Sequence, residues 1–262
     1  MDIRSLTMAD ARASVTASRE AFGGPVEDLS TFTVGQGVHR WGVFDGSILA
    51  AKASDREYMS LIGGRQVPTA GAAGVVVAPE YRGSGLARAV MTHLLTEARR
   101  RGASISTLFR TAPALYRSLG FEQVAELLIG ELPVAALRGL RRHPSVTVRR
   151  ALVSDAPAIR SVYAQIAEQG SCLLTRTGPC FTATDQQLID SVDGITVAVD
   201  IGGQITGYFC WTRGSGVGVD GVLTISEFLA LMAPAQESLL AVAGSFDAVT
   251  RTVRFRTSGT DP

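Results

Sequence analysis

The most constraining stretch of the sequence is a strand-like run that leads through a glycine-rich turn into an amphipathic helix. Residues 75–90 read VVVAPEYRGSGLARAV, with Pro79 where the run of valines must end and glycines at Gly83 and Gly85. After the turn, apolar residues recur at the spacing of one helical face, at Ala87, Val90, Met91, Leu94, Leu95 and Ala98. The pattern predicts a strand, a tight turn and an amphipathic helix in succession.

The glycine-rich turn is typical of an anion site, because unpaired backbone N–H groups point outward at a helix N-terminus. The two glycines let a phosphate approach the backbone, and Arg82 adds a positive charge. A P-loop is excluded, since it needs a lysine in the turn. A dinucleotide fingerprint has Arg110 in its favour, but Arg88 stands where its third glycine belongs. A coenzyme A loop, a dinucleotide loop and a plain structural turn stay open as interpretations.

The chain repeats one order of predicted elements. A strand, a helix at Asp10–Phe22 and a hairpin turned by Asp45-Gly46 form the first series. Another strand, a helix at Ser154–Glu168 and a hairpin turned by Gly202-Gly203 follow in the same order. The second half is therefore interpreted as a divergent copy of the first.

The repeated pattern breaks at residues 141–144, Arg-Arg-His-Pro, which we interpret as a linker between two domains. The expected division is 1–140 for an N-terminal domain, closed by a strand through Phe121–Leu132, and 146–262 for a C-terminal domain. The second domain's counterpart of the glycine turn, in residues 223–244, has no Arg-Gly-Ser-Gly sequence. Only the N-terminal domain is therefore expected to bind the anion.

The composition argues against several classes of function. A formal net charge of +1 over 262 residues gives no basic field, so no nucleic-acid partner is expected. No stretch approaches the roughly 20 apolar residues of a membrane-spanning helix, and the N-terminus does not resemble a signal peptide. We therefore expect a cytoplasmic protein without a membrane partner. Lys52 is the only lysine among 25 lysine and arginine residues.

The cysteines give no sign of a disulfide framework or a metal site. Cys172, Cys180 and Cys210 are odd in number and far apart, and no histidine lies near the first two. We expect free thiols and no bound metal. None of the three falls within residues 1–140, which argues against a covalent cysteine intermediate in that domain.

The turn and the region after it resemble the GCN5-related N-acetyltransferase (GNAT) superfamily. Arg82, Gly85 and Ala87 meet its pyrophosphate-binding motif, Gln/Arg-x-x-Gly-x-Gly/Ala, which follows a strand ending in Val-x-Pro. Downstream, PALYRSLGFE is similar to the family's Tyr-x-x-x-Gly-Phe feature, with Tyr116, Gly120 and Phe121 in place. The resemblance implies an α/β (α+β) fold with tandem GNAT-type acyltransferase domains, each with a mixed sheet flanked by helices.

Within that superfamily the chain resembles the Eis (enhanced intracellular survival) family of aminoglycoside N-acetyltransferases, strongly over residues 60–125 and weakly after 145. The resemblance implies acetyl transfer from acetyl-CoA to a primary amine by direct attack in a ternary complex. It also implies an aminoglycoside or other polyamine as the small-molecule acceptor, and a homo-oligomer. No metal cofactor is implied.

The resemblance also assigns roles to residues. Val75, Val76 and Val77 would pair with the pantetheine arm of acetyl-CoA, and Tyr116 would act as the general acid near the thioester sulfur. The pyrophosphate would be held by the stretch Arg82, Gly83, Ser84, Gly85, Leu86 and Ala87.

One departure from the Eis family concerns the end of the chain. Proteins of that family carry a third, sterol-carrier-like domain, whose C-terminal carboxylate is the general base. This chain ends in VRFRTSGTDP, so it is either truncated or lacks that ending, and the base role is not carried over to Pro262. An amine that attacks a thioester still requires a base or a chain of waters.

The carboxylates Glu20, Glu27, Asp28 and Glu57 could line an acidic pocket for a cationic amine, although each alone is more typical of a solvated charge. His93 lies off the apolar stripe of its helix and is expected on the surface.

A CoA-binding or assembly module without catalysis stays open as the alternative to an enzyme.

Overall fold

The computed structural model describes residues 1–23, 29, 32 and 34–257. The molecule divides into two units. The first consists of Met1–Glu122 and Gly170–Thr182, and the second consists of Gln123–Gln169 and the chain from residue 183 onwards. Each unit is built on a mixed sheet flanked by helices, which confirms the expected α/β (α+β) class. Among the helices that the structure describes, none is long and apolar enough to cross a bilayer.

Five strands of the first unit form a sheet in chain order: β1 (Asp2–Ser5), β2 (Val38–Asp45), β3 (Ile48–Ile62), β4 (Arg65–Val77) and β5 (Ile105–Thr107). Strands β4 and β5 run parallel, and the other neighbours run antiparallel. The turn between β2 and β3 lies at Asp45-Gly46, as the hairpin signal predicts.

The described part of the first unit contains three α-helices: α1 (Ala11–Phe22), α2 (Leu86–Arg100) and α3 (Pro113–Arg117). Helix α2 buries five side chains of the predicted stripe and its first turn: Leu86, Val90, Met91, Leu94 and Ala98. Full burial of a large aliphatic side chain contributes about 1.5–3 kcal/mol, so this face holds the helix on the sheet.

Helices α1 and α2 lie on opposite faces of the first sheet. Ser14 of α1 contacts Lys52 of β3, whereas Arg101, directly after α2, contacts Asp55 of the same strand. Side chains an odd number of residues apart on a strand point to opposite faces.

The second unit repeats this topology. Its strands are β6 (Leu128–Pro133), β7 (Val146–Arg150), β9 (Gly194–Asp200), β10 (Ile205–Arg213), β11 (Gly218–Ala230) and β12 (Thr250–Thr257). Its helices are α4 (Ala156–Gln169), α5 (Asp185–Asp190) and α6 (Ala233–Gly244). The spatial order β7-β9-β10-β11-β12 corresponds to β1-β2-β3-β4-β5, and β11 and β12 are again the parallel pair.

The same hydrogen-bonded pair of an arginine and an aspartate lies between the first strand and the first helix of each repeat. The Asp10 carboxylate accepts hydrogen bonds from Arg4, at 2.9 and 2.8 Å, and from the backbone N of Thr7 at 2.8 Å. Six residues after Arg149, Asp155 accepts from that arginine at 2.6 and 2.9 Å and from a backbone N–H at 2.7 Å. Each arginine, by hydrogen bonding, holds the pKa of its carboxyl below the ordinary value. The two halves thus share one strand-to-helix junction.

Two strands belong to a different unit from the one that the sequence predicts. The strand expected through Phe121–Leu132 is β6, and it pairs with β12 in the second unit. Strand β8 (Leu173–Leu174) belongs to the first unit and pairs with β3, with Leu61 opposite Leu173. The units therefore do not correspond to one cut at residues 141–144. Neither segment carries a local signal for its partner, since strand pairing at this distance depends on the packed structure.

Candidate functional site

Strand β4 leaves its parallel neighbour before it ends. The pairing with β5 spans Thr69–Gly71 opposite Ile105–Thr107, and Ala72–Val77 continues beside β3 without a β5 partner. The polar backbone groups on this side of β4 are therefore open to an extended ligand, which can add to the edge as a strand would. Val75, Val76 and Val77 all lie on this stretch.

A β-bulge shifts the register just before those valines. Lys52 pairs with Val76, but Ser54 pairs with Ala73, so β4 holds an extra residue at this point. Gly74 has a φ of 60°, a conformation that glycine adopts without strain. The Ser54 hydroxyl donates to the Ala73 carbonyl at 3.0 Å, which fixes the bulge at the point where β4 diverges from β5.

The turn after β4 is exposed and leaves room beside its backbone. Gly83 and Gly85 have φ angles of 79° and 80°, and an added Cβ at either would meet nothing within 4 Å. The Ser84 hydroxyl donates back to the Tyr81 carbonyl, and Arg82 is exposed at the rim. The space over the turn is therefore open to a ligand.

The N-terminus of α2 has free donors directed to that space. Gly85 is the N-cap and has no side-chain hydrogen bond, and the first intrahelical bond runs from Ala89 N to Gly85 O at 3.1 Å. The N–H groups of Leu86, Ala87 and Arg88 therefore have no partner within the helix. Such a group of amides, at the positive end of the helix dipole, fits a pyrophosphate.

Tyr116 is packed beside this helix. It is 5% exposed and lies in one hydrophobic cluster with Leu86 and the partly buried Val75 and Val77. Its ring packs edge-on against Phe121 with centroids 6.0 Å apart. Its hydroxyl has no hydrogen-bond partner within the part of the chain that the structure describes. The structure thus brings the valines, the helix start and Tyr116 together.

Arg88 joins the two helices of the site, a role that the sequence did not indicate. Its guanidinium donates to the Ser118 hydroxyl at 2.6 Å and to the Ser118 carbonyl at 3.3 Å. Ser118 follows directly after α3, two residues from Tyr116. This contact fixes the tyrosine helix relative to the first turn of α2.

Comparison with protein families agrees with this geometry. Residues 2–124 match the family model described as an acetyltransferase (GNAT) domain. Over this region the chain is therefore similar to GNAT acetyltransferase domains. The comparison with curated proteins found no match.

Solved structures show the same fold. A GCN5-related N-acetyltransferase from Kribbella flavida is 28% identical, with a TM-score of 0.79, and the match covers 100% of this chain and 65% of that one. Eis1 from Mycobacterium abscessus is 17% identical, with a TM-score of 0.74 and coverage of 100% and 67%. The chain thus spans about two thirds of the length of these two structures.

A tandem GNAT protein from the clavulanic acid biosynthesis pathway is 13% identical, with a TM-score of 0.58. The match covers 100% of this chain and 91% of that one. Likenesses at this level of identity show the fold alone. Together with the repeated topology of the two sheets, they establish a tandem GNAT-type fold.

The expected acidic pocket is not assembled by Glu57. In the first unit this carboxylate contacts His39 at 2.7 Å and Arg101 at 3.5 Å, so its charge is already compensated. Glu20 is exposed on α1. Glu27 and Asp28 lie outside the described residues, as does Pro262.

The expected surface position of His93 is wrong. Its ring packs edge-on against Trp41, with centroids 4.5 Å apart, and its Nε2 atom is buried. The apolar stripe of α2 predicts which side chains face the sheet, but not that an aromatic ring from β2 covers the helix flank.

The cysteines are free thiols, as expected, but the argument from their position is wrong. Cys172 and Cys180 belong to the first unit, although they follow residue 140 in the chain. Cys180 donates to the Gly37 carbonyl at 3.2 Å, and burial raises the pKa of its thiol. A raised pKa leaves less thiolate, so Cys180 is a poor nucleophile. Within the described residues no cluster of metal-binding side chains occurs.

Proposed function

We propose that the chain is an acetyl-CoA-dependent N-acetyltransferase that transfers acetyl to a primary amine by direct attack in a ternary complex. The observation that carries this proposal is the continuous path from the unpaired edge of β4 to the uncapped N-terminus of α2. Its length and chemistry suit a ligand with an amide-bearing arm and a pyrophosphate. The first unit, Met1–Glu122 with Gly170–Thr182, is the proposed coenzyme-binding unit, and the second unit is the proposed degenerate copy.

Each part of the site has a proposed task. The backbone of Val75, Val76 and Val77 pairs with the pantetheine arm, which lies against the open edge of β4. Arg82 and the amides of Gly83, Ser84, Gly85, Leu86 and Ala87 hold the pyrophosphate, where the two glycines leave room for it.

Tyr116 is the proposed general acid. Acetyl-CoA supplies a thioester, an activated form of the acetyl group. When the amine displaces the thiolate, the Tyr116 hydroxyl, which has no partner among the described residues, donates its proton to the departing sulfur. The contact of Arg88 with Ser118 holds the tyrosine in place for this step, since positioning of the acid decides its efficiency.

The finer proposal concerns the acceptor. The Eis-like sequence features of residues 60–125 support an aminoglycoside or another polyamine. The same features support a homo-oligomer, which sedimentation of the purified chain would test.

A second candidate is a CoA-binding or assembly module without catalysis. One observation favours it: from Gln66 to Val77, β4 carries no carboxylate or histidine that could take the proton of the amine. An enzyme with this strand must take its base from another element or use water.

Two measurements on the purified chain separate the candidates. Titration calorimetry with acetyl-CoA tests binding, and a thiol-release assay tests transfer to aminoglycosides, polyamines, peptides and protein lysines. We expect binding and thiol release with at least one class of amine. Binding with no release for any amine favours the module, and no binding rejects both.

A further inference from the structure

The reacting end of the proposed coenzyme path lies where β4 and β5 diverge. On that path the pyrophosphate site follows Val77 and the pantetheine arm runs back towards Val75, so the thioester lies beyond Val75 in the direction of Gly71. Gly71 is the last residue of β4 that pairs with β5. Ala73, two residues nearer to the valines, is exposed although it lies within the strand. The acceptor amine must therefore reach the sheet at this point.

Tyr58 of β3 covers the point of divergence. A Cβ added to Gly71 would lie 2.3 Å from Tyr58 Cε2 and 2.6 Å from Cδ2, so the ring lies directly over the Gly71 backbone. Tyr58 itself pairs with Thr69, so its ring leans along β4 towards the coenzyme path. Its hydroxyl has no hydrogen-bond partner among the residues that the structure describes, and the side chain is only partly buried. The hydroxyl is therefore available to a ligand.

Phe181 extends the aromatic surface of Tyr58. The two ring centroids are 5.6 Å apart and the rings are tilted by 41°. Phe181 belongs to the segment Gly170–Thr182 of the first unit, which the Cys180 thiol ties to the Gly37 carbonyl at 3.2 Å. Phe181, like Tyr58, keeps part of its surface exposed. The second half of the chain thus contributes one wall beside the reacting end of the path.

Tyr58 and Tyr116 approach this point from opposite faces of the sheet. Tyr58 is an even number of residues from Lys52, which contacts α1, so its side chain lies on the face of α1. Tyr116 packs with Ala72, which pairs with Asp55 on the face of α2. A thioester at the end of the path can therefore meet the proposed acid from one face and an amine from the other.

The chemistry of the Tyr58 face suits one kind of amine. A tyrosine hydroxyl can accept a hydrogen bond from an amine N–H, and the two rings offer an apolar surface beside it. Small-molecule sites combine such apolar walls with a few polar groups that fix the ligand's orientation. An amine on a ring-bearing body can use both features, whereas a linear amine leaves most of the aromatic surface uncovered.

We propose that Tyr58 binds the acceptor amine, that Phe181 packs against the acceptor's body, and that the acceptor is a primary amine on a ring-bearing molecule. The inference rests on the proposed function, because acetyl-CoA bound along β4 supplies the acetyl group. The Tyr58 hydroxyl accepts a hydrogen bond from the amine and directs the nitrogen lone pair towards the thioester carbonyl carbon. Tyr58 orients the nucleophile and does not take its proton.

The first test compares acceptors and variants by steady-state thiol release. For the unchanged chain we expect a higher kcat/KM with kanamycin or phenethylamine, which carry rings, than with linear spermidine. Tyr58→Phe should raise the KM of the ring-bearing amine about threefold to tenfold, the effect of one lost hydrogen bond. Phe181→Ala should raise it as well. Neither should change the affinity for acetyl-CoA in calorimetry, which also shows that the variants are folded.

A matched pair of glycine variants tests the position of the ring. Gly71→Ala forces the Tyr58 ring to move and should raise the KM of the amine. Gly130→Ala makes the same change in the second unit, where an added Cβ would lie 2.7 Å from the Phe255 ring, and should leave this KM unchanged. In a chain that already carries Tyr58→Ala, Gly71→Ala should have no further effect. An equal KM in Gly71→Ala and Gly130→Ala would overturn the role of Tyr58.

The inference and the function on which it rests fail in different ways. Thiol release with an unchanged KM in Tyr58→Phe and Phe181→Ala overturns the acceptor site and leaves the enzyme standing. A higher kcat/KM for spermidine than for both ring-bearing amines overturns the acceptor class in the same way. Binding of acetyl-CoA without thiol release for any amine overturns the enzyme and the inference together. The comparison of acceptors uses the unchanged chain, so misfolding of a variant does not remove the test.

Discussion

The two units share a sheet topology but differ where the fourth strand of each passes into a helix. In the first unit, residues 78–85 separate β4 from α2, and they include the two glycines at positive φ. In the second unit, residues 231–232 alone separate β11 from α6. A connection of two residues has no room to fold back over a helix N-terminus.

The backbone chemistry of the two junctions differs as well. Helix α2 begins after Gly85 with three N–H groups that have no intrahelical partner. Helix α6 begins at Ala233-Pro234, and the proline has no N–H to offer. The comparison teaches that the anion site depends on the length and composition of one connection, because the sheet that supports it is present in both units.

The comparison predicts that the first unit binds acetyl-CoA and that the second unit does not, which is the largest effect we expect. Titration calorimetry should give one acetyl-CoA per chain, since only the first junction presents its amides. Two molecules per chain would contradict the assignment of the second unit as degenerate.

Tyr116→Phe should lower the rate of acetyl transfer about 100-fold, since general acids contribute about 10²–10⁴-fold. The affinity for acetyl-CoA should change little, because the hydroxyl acts only on the departing sulfur. Steady-state kinetics and calorimetry measure the two effects separately.

The matched control for Tyr116 lies in the second unit. Tyr208→Phe removes a buried hydroxyl that donates to Glu227 at 2.6 Å, without touching the first junction. We expect full acetyl-transfer activity from this variant. A Tyr116→Phe enzyme with unchanged turnover would remove the general-acid role.

Gly85→Val should weaken acetyl-CoA binding about tenfold to 100-fold. A β-branched residue at φ 80° is strained by about 1–3 kcal/mol, and its side chain would occupy the space over the turn. Calorimetry at one salt concentration measures the loss.

Gly203 provides the control for this change, because it has the same φ and also lies in open space, at the turn between β9 and β10. Gly203→Val should carry a similar cost in folding and none in binding. Equal affinities in the two variants would show that the glycines of the first junction serve only to make a turn.

Much of the fold could be predicted from local patterns. The α2 stripe, the Asp45-Gly46 hairpin and the repeat of strand, helix and hairpin each depend on residues close in the chain. The sequence could not predict that β6 belongs to the second unit and β8 to the first, because pairs such as Leu61 with Leu173 join residues far apart in sequence.

The candidate site shows the same division. Gly83 and Gly85 indicate an anion site by themselves, since their backbone freedom and the helix start follow from the sequence. The contact of Arg88 with Ser118 depends on which faces of the sheet the helices cover.

The smallest expected effect tests what the two halves share. Asp10→Asn and Asp155→Asn should each lower the free energy of unfolding by about 0.2–1 kcal/mol at pH 7, because each carboxylate pairs with an arginine whose side chain is 42% or 40% exposed to solvent. The folded state holds both carboxyl pKa values below the unfolded value of about 3.9. Their stabilisation is therefore complete above that pH and is lost as the pH falls through the lower, folded value.

Urea unfolding at pH 7 and near pH 3 measures this dependence, since urea does not screen charges. The difference between each variant and the unchanged chain should shrink at the lower pH, and by similar amounts in the two units. Asp190→Asn is the control, because that aspartate accepts its bond from the neutral amide of Gln186. A loss of stability that is equal at both pH values would show that the charge of the arginine pair is not what stabilises these junctions.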